Sequence, residues 1–266
     1  MHSFEHALAR VAVWNLAGFG RISAARRANQ AKGLALLDAE FVTLVEVNPA
    51  SYIDDLAAEI AQYGVHYTTT ILPQPGGLHI GFLHKTGVEV TDPRFIPGSN
   101  GDYAGGRLAL AVDIKVGKLS AVVIGVHLKS GRDRPEQVLR DSQCRVIGDW
   151  ITDLRATPGT MRKTIMLMGD FNMIPGQDVS NFHHLGGDDL MDFVSCWDLQ
   201  DRFSHILEKG RANLLDGFAV SRTYSTDYVR GSLRLFPMHW TMDMGREKFK
   251  DEVSDHLPFV ASFRLF

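Results

Sequence analysis

The strand-like segments of this chain are apolar almost without interruption, and this limits the folds that the chain can adopt. Residues 108–112 read LALAV and residues 121–126 read AVVIGV. A strand with one face in water alternates apolar and polar residues, whereas a strand covered on both faces does not. We therefore predict central strands that have protein on both faces.

The apolar runs recur along the whole chain, at residues 10–16, 41–47, 66–72, 78–84, 107–115, 119–128, 164–169, 214–221 and 259–265. Helical spacing of apolar residues lies between them, at residues 22–38, 51–63 and 135–155. Ser51 and Asp54 have the spacing of a helix capping box. The runs joined by Val116-Gly117-Lys118 favour a β-hairpin. Together these patterns predict an α/β (α+β) fold of two stacked sheets with helices outside.

Composition supports one large folded unit. The chain has 266 residues, of which 45% are hydrophobic, enough for a full core. It has no internal repeat or linker-like stretch, so we expect one domain over residues 1–266. Cys144 and Cys196 cannot form a disulfide framework and lack zinc-site spacing, so each is expected to be a buried, inert thiol.

The chain has no apolar run of about 18 residues, which argues against a membrane span. Its start, MHSFEHALAR, lacks the basic and apolar stretches of a secretory signal, which favours the cytoplasm. The net charge of −3 without a polybasic block argues against binding nucleic acid mainly by counterion release. An enzyme that grips a few phosphates beside metal ions remains compatible with it. No obligatory protein partner is indicated.

The segment MGDFNMIP at residues 168–175 leads from an apolar run to a proline-glycine stop. Asp170 and Asn172 are two residues apart, so both side chains would point the same way from a strand. Asp170 can accept a proton from water or bind a metal, and Asn172 can donate to an anionic oxygen. The alternative is a simple β-turn, because Gly-Asp and Asn before Pro-Gly are ordinary turn residues.

Two polar residues end apolar runs near the start of the chain. Asn15 follows VAVW and could bind a metal-bound water or a phosphate oxygen, with a structural turn as the alternative. Glu46 follows FVTLV, and a lone carboxylate at the end of a buried strand is costly unless it is paired or bound to a cation. An exposed glutamate at a sheet edge is the competing interpretation.

Histidines and aspartates follow the later runs. His127 ends AVVIGV and precedes the cation Lys129, so it is either a core histidine with a local partner or a residue aimed at an anion. Asp216 lies inside an apolar run, and a buried aspartate pairs most economically with a histidine. Asp255 and His256 are adjacent and would point to opposite sides of an extended segment, so that one can bind a metal while the other serves the substrate or acts as a base.

These positions make an oxygen-rich set with two imidazoles: Asn15, Glu46, Asp170, Asn172, Asp255, His127 and His256. The set lacks the histidine or cysteine clusters that zinc prefers, and it suits Mg²⁺ or Mn²⁺. Hard cations of this kind are natural partners of phosphate. The pattern therefore favours metal-assisted chemistry at a phosphate ester.

In this order, the segments resemble the endonuclease/exonuclease/phosphatase family, the deoxyribonuclease I-like superfamily. Its members include pancreatic-type deoxyribonucleases, abasic-site repair endonucleases, inositol-polyphosphate 5-phosphatases, neutral sphingomyelinases and deadenylases. The resemblance runs from WN at 14–15 to SDH at 254–256, and GDFN and SDH are its specific elements. It implies a four-layer sandwich of two stacked mixed sheets flanked by helices. The chain departs from the family pattern at Val45, commonly Gln, and at Gly217, commonly an aromatic residue or Arg; it looks most like uncharacterised bacterial members.

The resemblance also implies roles for the matching residues. Glu46 is expected to be the principal Mg²⁺ ligand, with Asn15 and Asp255 close to the metal. Asp170 would orient or deprotonate the attacking water. Arg107, which opens the run RLALAV, stands where many members carry a phosphate-facing arginine.

The remaining matches concern the transition state and the substrate. Asn172 and His127 would stabilise the charged pentacovalent transition state. His256, oriented by Asp216, would be a further phosphate contact or an acid/base. Asn172 and Lys129 are also expected to bind substrate.

The function expected from this resemblance is Mg²⁺-dependent hydrolysis of phosphodiester bonds by in-line attack of water, with a nuclease as the leading hypothesis. The alternative is a phosphatase or phosphodiesterase of a small phosphorylated metabolite or lipid headgroup, similar to inositol-phosphate phosphatases or sphingomyelinases. A non-catalytic binding module is disfavoured, because every family position that can be placed is filled. A nuclease needs cationic or aromatic residues on its cleft rim, for which the candidates are Arg21, Arg26, Arg27, Lys129, Arg132, Arg134, Tyr224, Tyr228 and Arg230.

Overall fold

Two six-stranded sheets stack face to face in the structure, a computed structural model that describes residues 8–19, 23–103, 105–186, 189–193, 204–206 and 212–266. The strands are β1 (Leu8–Asn15), β2 (Phe41–Val47), β3 (Thr68–Ile71), β4 (His79–His84), β5 (Glu89–Phe95), β6 (Leu110–Val116), β7 (Leu119–His127), β8 (Thr164–Asp170), β9 (Met191–Phe193), β10 (His205–Ile206), β11 (Ala212–Asn213), β12 (Asp216–Ser221), β13 (Arg234–Leu235) and β14 (Phe259–Arg264). The helices are α1 (Ala24–Leu37), α2 (Tyr52–Ile60), α3 (Arg134–Ala156), α4 (Val179–His184), α5 (Met238–Thr241) and α6 (Arg246–Glu252).

Strand order brings particular strand ends together. It runs β13-β14-β1-β2-β4-β3 in the first sheet and β5-β6-β7-β8-β12-β9 in the second. The pairs β1/β2 and β7/β8 are parallel, and α1 and α3 connect them. Because parallel strands run in the same direction, each crossover places the carboxyl ends of its two strands at one edge of the sheet.

The first and last described strands lie side by side. β14 runs antiparallel to β1, with Leu8 opposite Arg264 and Val13 opposite Phe259. The indole nitrogen of Trp14 donates to the carbonyl of His256 at 2.9 Å. The segment that precedes β14 is therefore held at the carboxyl end of β1.

Alternate residues of β7 enter two different cores. Ala121 and Val123 belong to the core between the sheets, whereas Val122 and Ile124 belong to the core beneath α3. This alternation explains why the strand is apolar at every position: side chains on both faces are removed from water. The expectation of strands covered on both faces is confirmed.

Helices cover the outer faces of both sheets. In α1, Leu34 and Leu37 join the core of the first sheet, and the side chain of Ser23 accepts from the first-turn N–H of Arg26. In α3, Ile147 and Ile151 pack on the second sheet. The four-layer sandwich is therefore confirmed, with sheets between layers of helices.

The hairpin is confirmed, although its first strand begins later than predicted. β6 starts at Leu110 rather than at 107, because the preceding N–H groups bond to side chains instead of a strand. Leu108 donates to Gln74 Oε1 at 2.8 Å, and Ala109 donates to Ser99 Oγ at 2.8 Å. Arg107 consequently lies on a loop, ahead of the strand that it was expected to open.

The capping box at Ser51 is wrong. Ser51 has helical φ and ψ and makes no side-chain cap bond, and the turn is closed instead by the N–H of Tyr52 donating to the carbonyl of Pro49 at 2.9 Å. Cys144 is buried as expected, and burial raises the pKa of its thiol. Cys196 lies outside the described residues. Within the described ranges, no helix has both the length and the apolar sequence that a bilayer crossing requires.

We expect the substitution Gly125→Val to destabilise the fold by about 1–3 kcal/mol through overpacking. A Cβ at Gly125 would lie 2.6 Å from Ile80 Cγ2 and 3.2 Å from Thr43 Cγ2, both in the first sheet. Urea denaturation measures the loss. Gly159→Val is the matched control, because a Cβ at Gly159 meets nothing within 4 Å. Equal effects of the two substitutions would contradict tight contact between the sheets at Gly125.

Candidate active site

A cleft of about 760 Å³ opens where the two sheets end side by side. Its lining includes most of the predicted site residues: Glu46, Arg107, His127, Asp170, Asn172, Asp255 and His256. Asn15 and Asp216 lie behind this lining and bond to it. Lys129 lines a neighbouring cleft instead.

Strand register explains why distant sequence positions meet here. His127 of β7 lies opposite Asp170 of β8, and Asp170 lies opposite Asp216 of β12. Residues paired across strands point to the same face, so these side chains form a row at the end of the second sheet. In the first sheet, Asn15 ends β1 opposite the residue that precedes Glu46 in β2.

Glu46 turns into the cleft at an irregularity of β2. The pairing of β2 with β4 shifts between Leu44 and Val47, and Glu46 has a left-handed φ of 62°. A bulge of this kind re-aims one side chain and ends the regular alternation. Burial raises the pKa of Glu46, although the His256 charge and a hydrogen bond from Asn15 partly oppose this.

Asn15 bridges two carboxylates. Its amide nitrogen donates to Asp170 Oδ2 at 3.1 Å and to Glu46 Oε1 at 3.3 Å. Its amide oxygen accepts from the N–H of Ala17 at 2.9 Å. These bonds fix the position of the Asn15 side chain, and its place beside a metal stays a prediction.

Asp170 is buried and held by both of its oxygens. Oδ2 accepts from Asn15, and Oδ1 accepts from the N–H of Asn172 at 2.9 Å. Burial and the negative charge of Asp216 raise the pKa of Asp170, while the His256 charge acts in the opposite direction. A carboxylate with a raised pKa is suited to accept a proton from water near neutral pH.

His256 forms the expected pair with Asp216. Its Nδ1 donates to Asp216 Oδ2 at 2.6 Å, and its Nε2 lies 3.9 Å from Asp170 Oδ2. Burial alone would lower the pKa of His256, but Asp216, together with Asp170 and Asp255, raises it to about 10. The imidazole is therefore protonated at neutral pH and places a positive charge among carboxylates.

The guanidinium of Arg107 contacts the imidazole of His127 in the cleft. Arg107 Nη2 lies 3.1 Å from His127 Nε2. Burial, with the charges of Arg107 and His256, holds the pKa of His127 well below its usual range. The ring is neutral, and its Nε2 accepts from the guanidinium, so an entering phosphate would compete with His127 for Arg107.

Asn172 lies beyond β8 rather than on it. β8 ends at Asp170, and Asn172 has a φ of 50° in a turn closed by its N–H to Asp170. Its side-chain nitrogen donates to the carbonyl of Leu128 at 3.0 Å. The expected strand spacing of Asp170 and Asn172 is therefore wrong, because an aspartate turn brings both residues into the cleft instead. The turn and the site are the same feature.

A buried arginine fixes the loops on either side of Asn172. Arg140 of α3 donates to the carbonyl of Lys129 at 2.6 Å and to Asp178 Oδ1 at 3.3 Å. Asp178 Oδ2 accepts from the N–H of Ile174 at 2.7 Å. The Arg140–Asp178 pair thus ties the loop after β7 to the loop after β8. Nothing in the sequence patterns had singled out Asp178.

His205 is a cleft residue that the sequence patterns also missed. It lies in the two-residue strand β10, which has no apolar run to mark it. Its Nε2 lies 3.2 Å from Asp255 Oδ2, and its ring centroid lies 4.7 Å from that of His256. Burial would raise the pKa of Asp255, but the bond to His205 and the charge of His256 lower it to about 2.

Asp255 and His256 both line the cleft, so the expectation that they point to opposite sides is wrong. The segment is not an extended strand at this point, since β14 begins only at Phe259. Ser254 Oγ accepts from the N–H of His256 at 3.0 Å and donates to the carbonyl of Asn15 at 2.6 Å. This turn keeps both side chains on the cleft side.

The donor set fits a hard divalent cation. Among the described residues, ligand atoms of Glu46, His127 and Asp170 lie within 4.8 Å of one another, and so do those of His205, Asp255 and His256. Glu46 and Asp170 supply carboxylate oxygens, which Mg²⁺ and Mn²⁺ prefer. Both carboxylates have raised pKa values without a cation, and a bound cation would favour their charged forms.

Comparison with known proteins rests on structure. Neither a family model nor a curated protein matches the sequence. Truncated TDP2 of Caenorhabditis elegans matches with a TM-score of 0.71 at 15% identity, over 97% of each chain. ANGEL2, a 2′,3′-cyclic phosphatase, matches with a TM-score of 0.67 at 15% identity, over 98% of this chain and 97% of that one.

A family protein from Bacteroides thetaiotaomicron, described as an endonuclease/exonuclease/phosphatase, also matches, with a TM-score of 0.67 at 12% identity, over 99% of this chain and all of that one. The chain has the endonuclease/exonuclease/phosphatase fold. The resemblance inferred from the sequence motifs is thereby confirmed at the level of fold.

One departure from the endonuclease/exonuclease/phosphatase pattern has a packing reason. A Cβ at Gly217 would lie 2.4 Å from Phe171 Cε2, so the ring of Phe171 occupies the space of a side chain there. Val45, the other departure, is fully buried in the core of the first sheet. Neither residue is among those that line the cleft.

The rim candidates divide into cleft residues and others. Arg26 lines the cleft, whereas Tyr228 is buried in the core and cannot contact a substrate. Arg27 pairs with Glu59 at 2.8 Å on the surface of α1. Arg21 lies outside the described residues.

We expect Asp216→Asn to lower the pKa of His256 from about 10, because Asp216 is the largest of the influences that raise it against burial. The imidazole of the variant should therefore lose its proton at a lower pH than that of the wild type. A histidine NMR titration in EDTA measures the change. Asp192→Asn, which removes an exposed carboxylate paired with Arg222, is the control and should leave His256 unchanged. An unchanged pKa in Asp216→Asn would refute the pair.

We expect Arg140→Met to lower the free energy of unfolding by about 1–3 kcal/mol, because it removes the hydrogen bonds that the buried guanidinium donates to the carbonyl of Lys129 and to Asp178. Hydrogen exchange should increase in the loops after β7 and β8. Arg145→Met on the same helix is the matched control: its exposed pair with Asp141 should contribute about 0.5 kcal/mol. Similar losses for both variants in urea denaturation would contradict a special role for Arg140.

Proposed function

We propose that the protein is a divalent-cation-dependent hydrolase of phosphodiester bonds and that its substrate is a nucleic acid. The observation that supports this is the meeting in one cleft of two kinds of group. Glu46 and Asp170 can hold a cation and a water, whereas Arg107 and protonated His256 can accept a phosphate. Such a pairing suits in-line attack on a phosphate ester.

Glu46 would hold Mg²⁺ or Mn²⁺, with Asn15 and Asp255 close to the cation. When bound, the cation supplies charge stabilisation at the phosphate oxygens. Asn15 contributes by fixing the two carboxylates relative to each other through its amide nitrogen. His205 fixes the position of Asp255 through the contact between its Nε2 and the Asp255 carboxylate.

Asp170 is the proposed acceptor of the proton from the attacking water. Its two oxygens are held by Asn15 and by the N–H of Asn172, so its orientation is set before substrate enters. Burial beside Asp216 raises its pKa toward the range in which a general base is effective.

Arg107, Asn172 and His256 are the proposed donors to the charge that develops on the phosphate. Arg107 and His256 carry positive charge, and the side chain of Asn172 provides N–H groups. His127 holds Arg107 in the cleft through Nε2, as a neutral acceptor. Lys129, at a neighbouring cleft, would contact a more distant part of the substrate.

Ligands of the similar structures support a nucleic-acid substrate. TDP2 of D. rerio, with a TM-score of 0.70 at 16% identity, is complexed with a single-strand DNA product. ANGEL2 is complexed with adenosine-2′,3′-vanadate. Both ligands join a nucleoside to phosphate or a phosphate mimic. A small phosphorylated metabolite or a lipid headgroup is the second candidate, since the same cleft chemistry could cleave it.

Three substrates test the reaction class, each assayed with Mg²⁺, Mn²⁺ or EDTA: supercoiled plasmid, bis-(p-nitrophenyl) phosphate and p-nitrophenyl phosphate. We expect the diesters to be cleaved only with a divalent cation. Cleavage of the monoester alone would overturn the nuclease proposal. Activity that persists in EDTA would overturn the assignment of Glu46 and Asp170.

We expect Asp170→Asn and Glu46→Gln to remove most activity and Asn172→Ala to reduce kcat by roughly 10²–10³-fold. The first two lose the carboxylates that hold water and cation, and the third loses one donor. Steady-state kinetics on a diester measure these effects, and thermal denaturation checks folding. Glu89→Gln, an exposed carboxylate on β5, is the control. Near-wild-type turnover by Asp170→Asn would refute the mechanism.

A further inference from the structure

Phe19 presents an exposed aromatic ring at the edge of the cleft. It lines the cleft and is 85% exposed, more than any other large hydrophobic residue in the described part of the chain. Single exposed apolar residues are common on protein surfaces, so exposure alone would not mark a site. The backbone that carries this ring gives the stronger reason.

The backbone leading to Phe19 is fixed against Glu46. Leu16 donates to the carbonyl of Val45 at 2.9 Å, and Asn48 donates to the carbonyl of Gly18 at 3.3 Å. A Cβ at Gly18 would lie only 1.8 Å from the carbonyl oxygen of Glu46, so only glycine allows this approach. The aromatic residue is thus attached through a short, pinned segment to the proposed cation ligand.

The segment before Phe19 contains a residue with strained backbone geometry. Ala17 has a left-handed φ of 50°, and its N–H donates to Asn15 Oδ1 at 2.9 Å. A non-glycine residue with such a φ costs free energy unless its surroundings hold it. Here the amide that holds Ala17 is the one that bridges Glu46 and Asp170. The backbone before Phe19 therefore depends on the same contacts that arrange the carboxylates.

The cleft that Phe19 lines also carries cationic side chains that can contact a phosphate. Arg26 and Lys250 line the same cleft, and Arg26 Nε donates to the carbonyl of Val253 at 3.0 Å. Asp251 also lines the cleft and offsets part of this charge. Positive charge in the cleft opposes a choline headgroup, which would otherwise suit an aromatic face. It suits a phosphate backbone.

We propose that Phe19 is a stacking platform for an unpaired base next to the scissile phosphate, so that the substrate is single-stranded nucleic acid. This proposal rests on the proposed function. A nucleobase has two flat faces that stack on an aromatic ring whatever its sequence. An inositol ring carries hydroxyls and has no such face. A base inside a duplex is already stacked on both sides, which is why the strand must be single.

Kinetics on two short single-stranded oligonucleotides of equal length test this proposal. One carries thymine at every position, and the other carries abasic tetrahydrofuran units on the same phosphate backbone. With Mg²⁺ we expect Phe19→Ala to raise KM for the thymine strand about tenfold, the loss typical of one stacked base, with kcat nearly unchanged. The KM of the abasic strand should not change.

Two conservative variants separate stacking from apolar contact. Phe19→Trp should retain the wild-type KM because it keeps a flat ring, whereas Phe19→Leu should resemble Phe19→Ala. Trp240→Ala is the matched control: Trp240 is 65% exposed and is not part of the cleft lining. Affinity for the thymine strand measured by anisotropy in EDTA, where cleavage does not interfere, should fall in parallel with the change in KM.

The outcomes distinguish this proposal from the proposed function. If wild type cleaves the thymine strand but Phe19→Ala changes neither KM, or changes both equally, the stacking platform is wrong and the hydrolase stands. A rise in KM for p-nitrophenylphosphorylcholine but not for the thymine strand would assign the ring to a choline headgroup and overturn the proposal. If wild type cleaves neither strand with Mg²⁺ or Mn²⁺, the nuclease function fails and this subsite fails with it.

Discussion

Repulsion among carboxylates crowded into one cleft is the constraint on which the site depends. Glu46, Asp170, Asp216 and Asp255 all face or border the same buried space, and burying like charges is costly unless other groups compensate. The shared counter-charge is the imidazolium of His256. Its charge affects the pKa of Glu46, Asp170 and Asp255, and it bonds directly to Asp216. Other polar groups also offset this repulsion: Asn15 donates to Glu46 and Asp170, and His205 contacts Asp255.

The sequence predicted those site residues that end strong apolar runs. Asn15, His127 and Asp170 are visible because each follows a buried strand, and parallel pairing gathers such ends at one edge. His205 was not visible, because its short strand has no pattern and its contact with Asp255 joins segments far apart in sequence. The direction of the Glu46 side chain was also not predicted, since it depends on a β-bulge that the local sequence does not indicate.

The same contrast applies to the fold. The doubly covered strands and the hairpin of β6 and β7 were predictable, because continuous burial leaves a continuous apolar sequence. The edge strand β5 was not, since its sequence EVTDPRF is mostly polar and contains Pro93. Proline is tolerated there because an edge strand has unpaired N–H positions. The apolar sequence pattern therefore predicts the central strands of each sheet well and the edge strands poorly.

The pairing of β1 with β14 determines when the cleft can be completed during synthesis of the chain. The bond from Trp14 to the carbonyl of His256 spans 242 positions, so it can form only after nearly all of the described chain has been made. Chains emerge from the ribosome amino end first, and contacts between distant segments close late. Glu46 and Asp170 are thus synthesised before the imidazole that balances their charge. A growing chain carries an incomplete, acidic cleft, and the candidate site is complete only when the segment before the final strand has been made.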